Sequence, residues 1–96
     1  MTALVWSPRA LADLVEIRRF IHVESPAWAD LTVRRLLAAV EHLQQFPDAG
    51  RIVPERRSPD LREVISGSFR IVYRRHADTV EVVTVFRASR VFSLDR

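Results

Sequence analysis

The spacing of hydrophobic positions changes once along this chain, from helical periodicity in the first half to strand alternation from residue 61 onward. A short apolar run, Ala3-Leu4-Val5-Trp6, predicts a first strand that ends at Ser7. Ser7-Pro8 then reads as a helix start, with Ser as N-cap and Pro at the first helical position. The helix is expected to run from Pro8 to about Val23, its inner stripe being Ala10, Leu14, Ile17 and Ile21, widened by Leu11 and Phe20. Asp13 and Glu16 precede Arg18 and Arg19 on the polar side, the favourable order against the helix dipole. Ser25-Pro26 repeats the start signal, and the residue before proline resists helix, so the first helix breaks there. A second helix follows from Pro26 to about Phe46, with Val33, Leu36, Leu37, Val40 and Leu43 inward. So short a connection makes the two helices an antiparallel hairpin.

Phe46-Pro47-Asp48-Ala49-Gly50-Arg51 ends this half with Pro and Gly punctuation. From Arg51 to Asp60 the chain is polar and interrupted by Pro54 and Pro59, which predicts a surface loop exposing Arg56 and Arg57. Three runs rich in β-branched and aromatic residues come next: Leu61–Ser66, Phe69–His76 and Thr79–Phe86. Gly67-Ser68 and Ala77-Asp78 separate them, and gaps of hairpin length make the runs an antiparallel meander. Alternation puts Phe69, Ile71 and Tyr73 on one face of the middle strand, with Arg70, Val72 and Arg74 on the other. In the last strand Val80, Val82, Thr84 and Phe86 are expected to oppose Glu81, Val83, Val85 and Arg87. Apolar residues on both of its sides mark that strand as central and covered. The tail from Ala88 offers Val91, Phe92 and Leu94 as docking residues, in a strand stub or a single turn. The expected fold class is therefore α+β, one domain over residues 1–96. An antiparallel sheet is covered by an N-terminal helical hairpin in the order β-α-α-β-β-β.

Composition narrows the chemistry. There is no cysteine, so neither disulfides nor thiolate metal sites contribute. The first ten residues lack a basic n-region with a long apolar run behind it, and no apolar run reaches the length of a membrane helix. A soluble cytoplasmic protein with no membrane association is the expectation. All fifteen basic residues are arginine, and the formal net charge is +3. GC-rich coding favours arginine, which accounts for the bias but not for its position. About half of the arginines lie between Arg56 and Arg90, in or beside the sheet. Planar guanidinium groups suit phosphates and carboxylates, so the partner is a nucleic acid or an acidic protein segment.

No nucleophile elbow and no glycine-rich phosphate loop is present. His22, His42 and His76 have no metal-ligand spacing, and neither metal nor cofactor is expected. The remaining candidates are Arg62, Arg70, Arg74, Arg87 and Arg90. They form either a solvated, charge-protected sheet face or a shared basic concavity for phosphates. Tyr73 shares a face with Phe69 and Ile71, which makes it a core residue with a satisfied hydroxyl rather than an acid.

Together these pieces resemble the RelE/ParE superfamily of bacterial toxins from type II toxin–antitoxin modules. The matching stretches are Trp6-Ser7-Pro8 with ALADLVEI, the Ser25-Pro26 start, FPDAGRIVPE at 46–55, LRE at 61–63, SFRIVYRR at 68–75 and VVTVFRASR at 82–90. The resemblance implies a toxin neutralised by a cognate, ParD-like antitoxin in a hetero-oligomer. It also implies one of two activities. RelE-like members cut messenger RNA on the ribosome, for which Arg62, Arg70 and Arg90 would hold the scissile phosphate. ParE-like members inhibit DNA gyrase without nuclease activity, for which Arg87, Arg90 and the tail would contact the target, with Arg62, Arg70 and Arg74 nearby. The GRIVPE, LRE and FRASR segments look more ParE-like, although Arg87 stands where a histidine is common in that branch. A third reading is a binding module without toxicity.

Overall fold

The computed structural model describes residues 2–92. Strand β1 (Ala3–Trp6) leads into helix α1 (Pro8–His22), and helix α2 (Pro26–Gln45) follows. Ser7 and Ser25 are both N-caps: the Ser7 hydroxyl accepts the Ala10 N–H, and the Ser25 hydroxyl accepts the Trp28 N–H. Arg18 on α1 reaches Asp30 on α2 at 3.1 Å. At the far end the Thr2 hydroxyl donates to the Gln44 carbonyl, so α2 returns to the start of β1. These contacts close the helical hairpin.

Strands β2 (Arg51–Ile52), β3 (Leu61–Ser66), β4 (Phe69–His76) and β5 (Thr79–Arg87) complete one five-stranded sheet. Its spatial order is β1-β5-β4-β3-β2. The β3–β4 and β4–β5 hairpins form the expected meander, and β5 is indeed interior to the sheet. Two features correct the sequence reading. The sheet is mixed rather than antiparallel, because β1 runs parallel to β5, with Leu4 opposite Val80 and Trp6 opposite Val82. Parallel neighbours require a long crossover, and here the helical hairpin and strands β2, β3 and β4 supply it. The stretch from Arg51 is also not wholly loop: Arg51 and Ile52 pair with Glu63 and Arg62, and Val53 is fully buried behind them.

The helices cover one face. Ala10, Leu36 and Val40 pack there against Phe69, Ile71, Val82 and Val85, joined by Leu14, Ile17 and Ile21. The inner stripe of α2 is Ala29, Thr32, Leu36, Val40 and Leu43. Leu37 turns partly outward, and Leu11 and Phe20 of α1 are exposed, so both stripes are narrower than apolarity alone indicates. Thr32 is tolerated inside because its hydroxyl donates to the Trp28 carbonyl.

Simple alternation fails in β5. A bulge opposite Val72 and Tyr73 inserts a residue, so Val72 pairs with Thr84 while Tyr73 pairs with Val82. Beyond it, Val85 joins Val82 beneath the helices, and Phe86 joins Val83 on the outer face. The bulge is fastened from the other end of the chain. The Ser7 hydroxyl donates to the Val83 carbonyl, and one Asp13 carboxylate oxygen accepts both the Thr84 hydroxyl and the Val85 N–H.

The outer face has a core of its own. Val53, Leu61, Val72 and Phe92 are buried together, with Val83 and Phe86 against them. Residues 88–90 form a turn, and Phe92 folds back onto the sheet while Val91 stays exposed. Leu94 lies outside the described residues.

Candidate functional site

Arg70 sits on the outer face of β4, as alternation requires, but it is buried instead of facing solvent. The reason is two carboxylates. Its Nε and Nη2 donate to Oε1 of Glu63 on β3, and its two terminal nitrogens fork onto Glu55 at 2.9 and 3.0 Å. Nη1 also donates to the Arg90 carbonyl at 2.9 Å. A guanidinium has five N–H donors, and these five bonds use them all. The ring of Phe86 lies 4.9 Å below its central carbon. Hydrogen bonding to Glu55 above all, opposed by burial, raises the pKa of Arg70 above its already high ordinary value.

Among the described residues Glu63 is the most buried charge, its side chain fully shielded from solvent. A second arginine meets it from β2: Arg51 bonds its other oxygen through Nε at 2.7 Å and Nη2 at 2.6 Å. Sequence reasoning passed over Glu55 and Glu63, although a signal existed. Glu63 shares a face with Leu61, and the two-residue turn at Gly67-Ser68 pairs it with Val72, diagonal to Arg70. A carboxylate at such an apolar position needs a cation, and Arg70 and Arg74 both stand diagonal to it on that face.

Glu55 is the more accessible end of the network. Its carboxylate also accepts the Phe92 N–H at 3.0 Å. The Arg70 hydrogen bond, against desolvation and with help from the Phe92 N–H, holds its carboxyl at about 2 instead of 4.5. Between those values the unfolded chain binds a proton that the folded chain refuses, so stability must rise with pH across the window. The Glu55 contribution is therefore complete above about 4.5 and lost as pH falls through about 2. Urea midpoints measured across this range should fall less steeply for Glu55→Gln than for the wild type. Equal slopes would contradict the assigned pairing.

The other arginines divide between the two ends of β4. Arg62 and Arg74 belong to the end near Leu61, both half-buried. Arg62 donates to the Gly50 carbonyl at 3.0 Å, which turns it toward the α2–β2 connection. Arg74 stands opposite Leu61 on one side and Glu81 on the other. Arg87 pairs with Phe69 at the opposite end. Its guanidinium lies 5.6 Å from the Phe20 ring and 5.5 Å from the Phe69 ring. Arg87 and Arg90, both exposed, line one cavity of about 280 Å³ between α1 and β5, above Ile17, Ile21 and Val85. A single basic concavity uniting all five residues does not form. Arg70 is neutralised internally, and Arg62 and Arg74 lie a strand's length from Arg87.

Tyr73 is core, with no exposed surface. Its hydroxyl donates to the Pro47 carbonyl at 2.7 Å and accepts the Gly50 N–H at 2.9 Å. Burial pushes its pKa up, so it stays a protonated structural phenol. Among the described residues no group of His, Asp and Glu converges as a metal site, and no helix is long and apolar enough to cross a membrane.

A helical hairpin laid on one face of a mixed five-stranded sheet, whose interior last strand ends in arginines, is the α+β architecture of small toxins of the RelE/ParE type. Comparisons with known proteins agree. Residues 4–92 match the family model described as the ParE toxin of the type II toxin–antitoxin system parDE. The chain thus belongs to the ParE toxin family, and it is the toxin component of a type II toxin–antitoxin system, with an antitoxin as partner. Toxin RelE2 of Caulobacter vibrioides is 35% identical over 92 residues, covering 95% of this chain and all of the relative. Toxin RelE3 of the same organism is 29% identical, with 88% and 92% covered. A chain of the chromosomal ParDE system from P. aeruginosa superposes with a TM-score of 0.75 at 24% identity, over 91% of this chain and 96% of that one, and so shares the fold.

Proposed function

We propose that this toxin arrests growth by binding and inhibiting DNA gyrase, not by cutting RNA. The observation that carries the reading is the saturation of Arg70. A nuclease working on this face needs Arg70 to hold the scissile phosphate, yet all five of its donors are committed to Glu55, Glu63 and the Arg90 carbonyl. A phosphate would have to displace two carboxylates, one of them fully buried. Arg87 and Arg90 are exposed beside it, where the chain leaves β5, and their side chains can meet a protein surface, where arginine anchors carry much of the binding energy. The family match to ParE points the same way.

The names of the Caulobacter relatives keep messenger-RNA cleavage as the second reading. In either case the antitoxin suits an acidic, partly disordered segment that folds against the arginine-bearing surface in a hetero-oligomer. Purified toxin assayed side by side for plasmid supercoiling by gyrase and for messenger-RNA cleavage in a translating extract discriminates the two. Supercoiling should be blocked with RNA intact, and Arg87→Ala combined with Arg90→Ala should weaken inhibition by about tenfold or more. Cleaved RNA with normal supercoiling would reject the proposal.

A further inference from the structure

Ala88 still extends the β4–β5 pairing, its N–H donating to the Ser68 carbonyl, but Arg90 and Phe92 beyond it are held by bonds outside the sheet. The Arg90 carbonyl accepts from Arg70, and the Phe92 N–H donates to Glu55. Phe92 is buried against Val53, Leu61 and Val72, its ring stacked on Phe86 at 6.0 Å. The Arg56 guanidinium covers that ring at 5.6 Å. Residues Arg90 and Phe92 are thus bound to the two partners of a single ion pair. Because Glu55 forks onto Arg70, the two anchors of the segment also fix one another.

We infer that Glu55 and Arg70 are positioning residues for target binding: together they latch the C-terminal segment to the outer face and so set the place of Arg90 beside Arg87. The inference rests on the reading that Arg87 and Arg90 form the gyrase contact, and it adds a cause for their geometry. Arg87 is held by its strand and by the rings of Phe20 and Phe69. Arg90 is beyond the strand, and no ladder bond fixes it. Its backbone is tied at its N–H to the Arg87 carbonyl and at its own carbonyl to Arg70. Released from Glu55, the segment keeps the turn, the Phe92 ring and the Arg70 bond to the Arg90 carbonyl, but Arg70 loses the carboxylate that fixes its two terminal nitrogens, and Arg90 samples more positions. A contact that must be ordered on binding costs affinity.

Glu55 is the residue to change, since it lies in an exposed connection and its loss leaves Glu63 paired with both arginines. Amide hydrogen exchange of the isotope-labelled toxin reads the latch directly. In Glu55→Ala the Phe92 amide should exchange about tenfold faster, while the amides of β4 stay as protected as in the wild type. In Glu55→Gln, which keeps an acceptor but loses the charge, the Phe92 amide should be intermediate. Gyrase supercoiling reads the consequence: Glu55→Ala should inhibit as weakly as Arg90→Ala, and Glu55→Gln should recover part of the effect. An unchanged Phe92 amide in Glu55→Ala would overturn the latch. A released segment with wild-type inhibition would overturn the positioning role, provided that Arg90→Ala itself weakens inhibition. If Arg90→Ala inhibits normally, it is the gyrase contact surface that fails, while the exchange data still decide the latch.

Discussion

Replacing Arg70 with alanine should cost about 3 kcal/mol of folding stability, at the lower end of what losing one partner of a buried ion pair removes. Glu63 would be left inside with only Arg51, whose own side chain is mostly exposed and can shield it from one side alone. Glu55 would lose the guanidinium that forks onto it, and the Arg90 carbonyl its donor. The pairing of Glu63 with Arg51 is what keeps the cost from the upper end of the range. For a domain of this size such a loss lowers the melting temperature by roughly 12–24 °C, since each kcal/mol moves it by roughly 4–8 °C. Arg70→Lys should fall between, because an ammonium keeps the charge but cannot fork onto two carboxylates. Combining Arg70→Ala with Glu63→Gln should recover part of the loss, as removing the stranded charge relieves its desolvation. A melting temperature for Arg70→Ala within a few degrees of the wild type would refute the network.

This expectation changes how loss of toxicity should be read. On the sequence alone, Arg70 is a phosphate-binding candidate whose substitution would abolish RNA cleavage and spare the fold. With Arg70 in the structural network, its substitution disturbs β3, β4 and the C-terminal segment together, so inactivity would say nothing about chemistry. On the proposed reading, Arg87 and Arg90 are the substitutions that would separate function from folding. Neither is buried, and replacing either side chain leaves Glu55 and Glu63 paired.

What was legible in the chain was local. The Ser-Pro pairs cap both helices because the signal and the structure it makes occupy the same few residues. The turns at Gly67 and Ala77 set the register of the meander for the same reason. Nonlocal contacts were not legible. The bulge in β5 depends on Ser7 and Asp13, more than seventy positions away, and without it Phe86 would face the helices. The parallel pairing of β1 depends on where the helical hairpin returns the chain. For the site, alternation put Arg70 on the correct face, but outward was equated with solvent. The loop carrying Val53 and Glu55 and the returning Phe92 turn that face into a second interior. The exposed placement of Arg87 and Arg90 was easier to read, since it needs only the end of the last strand.

Gly50→Ala should be nearly as damaging as the loss of Arg70, and for a reason of space, not backbone conformation. A Cβ at this position would lie 2.7 Å from the Glu63 carbonyl oxygen, 2.7 Å from the Tyr73 hydroxyl and 2.8 Å from a carbon of its ring. Such distances force a shift, and none of the three atoms is at the end of a flexible side chain. The carbonyl belongs to β3, paired on both sides at that residue. The ring is buried, and its hydroxyl is held by Pro47 and by Gly50 itself. Overpacking a tight interior costs about 1–3 kcal/mol. If the loop moves away to make room, the Gly50 N–H loses its buried acceptor, at a cost of about 1–3 kcal/mol. A combined loss of about 3 kcal/mol in urea denaturation is the expected result. Tyr73→Phe alone removes the hydroxyl and should cost about 1–2 kcal/mol, because the Gly50 N–H and the Pro47 carbonyl lose their partner. Added to Gly50→Ala it should rescue only part of the loss, since the ring carbon and the Glu63 carbonyl still obstruct the new methyl group. The damage should also reach the arginine network. Arg51 follows Gly50 directly and holds one side of Glu63, while Arg62 donates to the Gly50 carbonyl. A displaced loop should therefore withdraw Arg51 from Glu63 and leave Arg70 as the sole counter-charge of that buried carboxylate. A Gly50→Ala variant within about 1 kcal/mol of the wild type would mean that β3 and Tyr73 yield more readily than their packing implies.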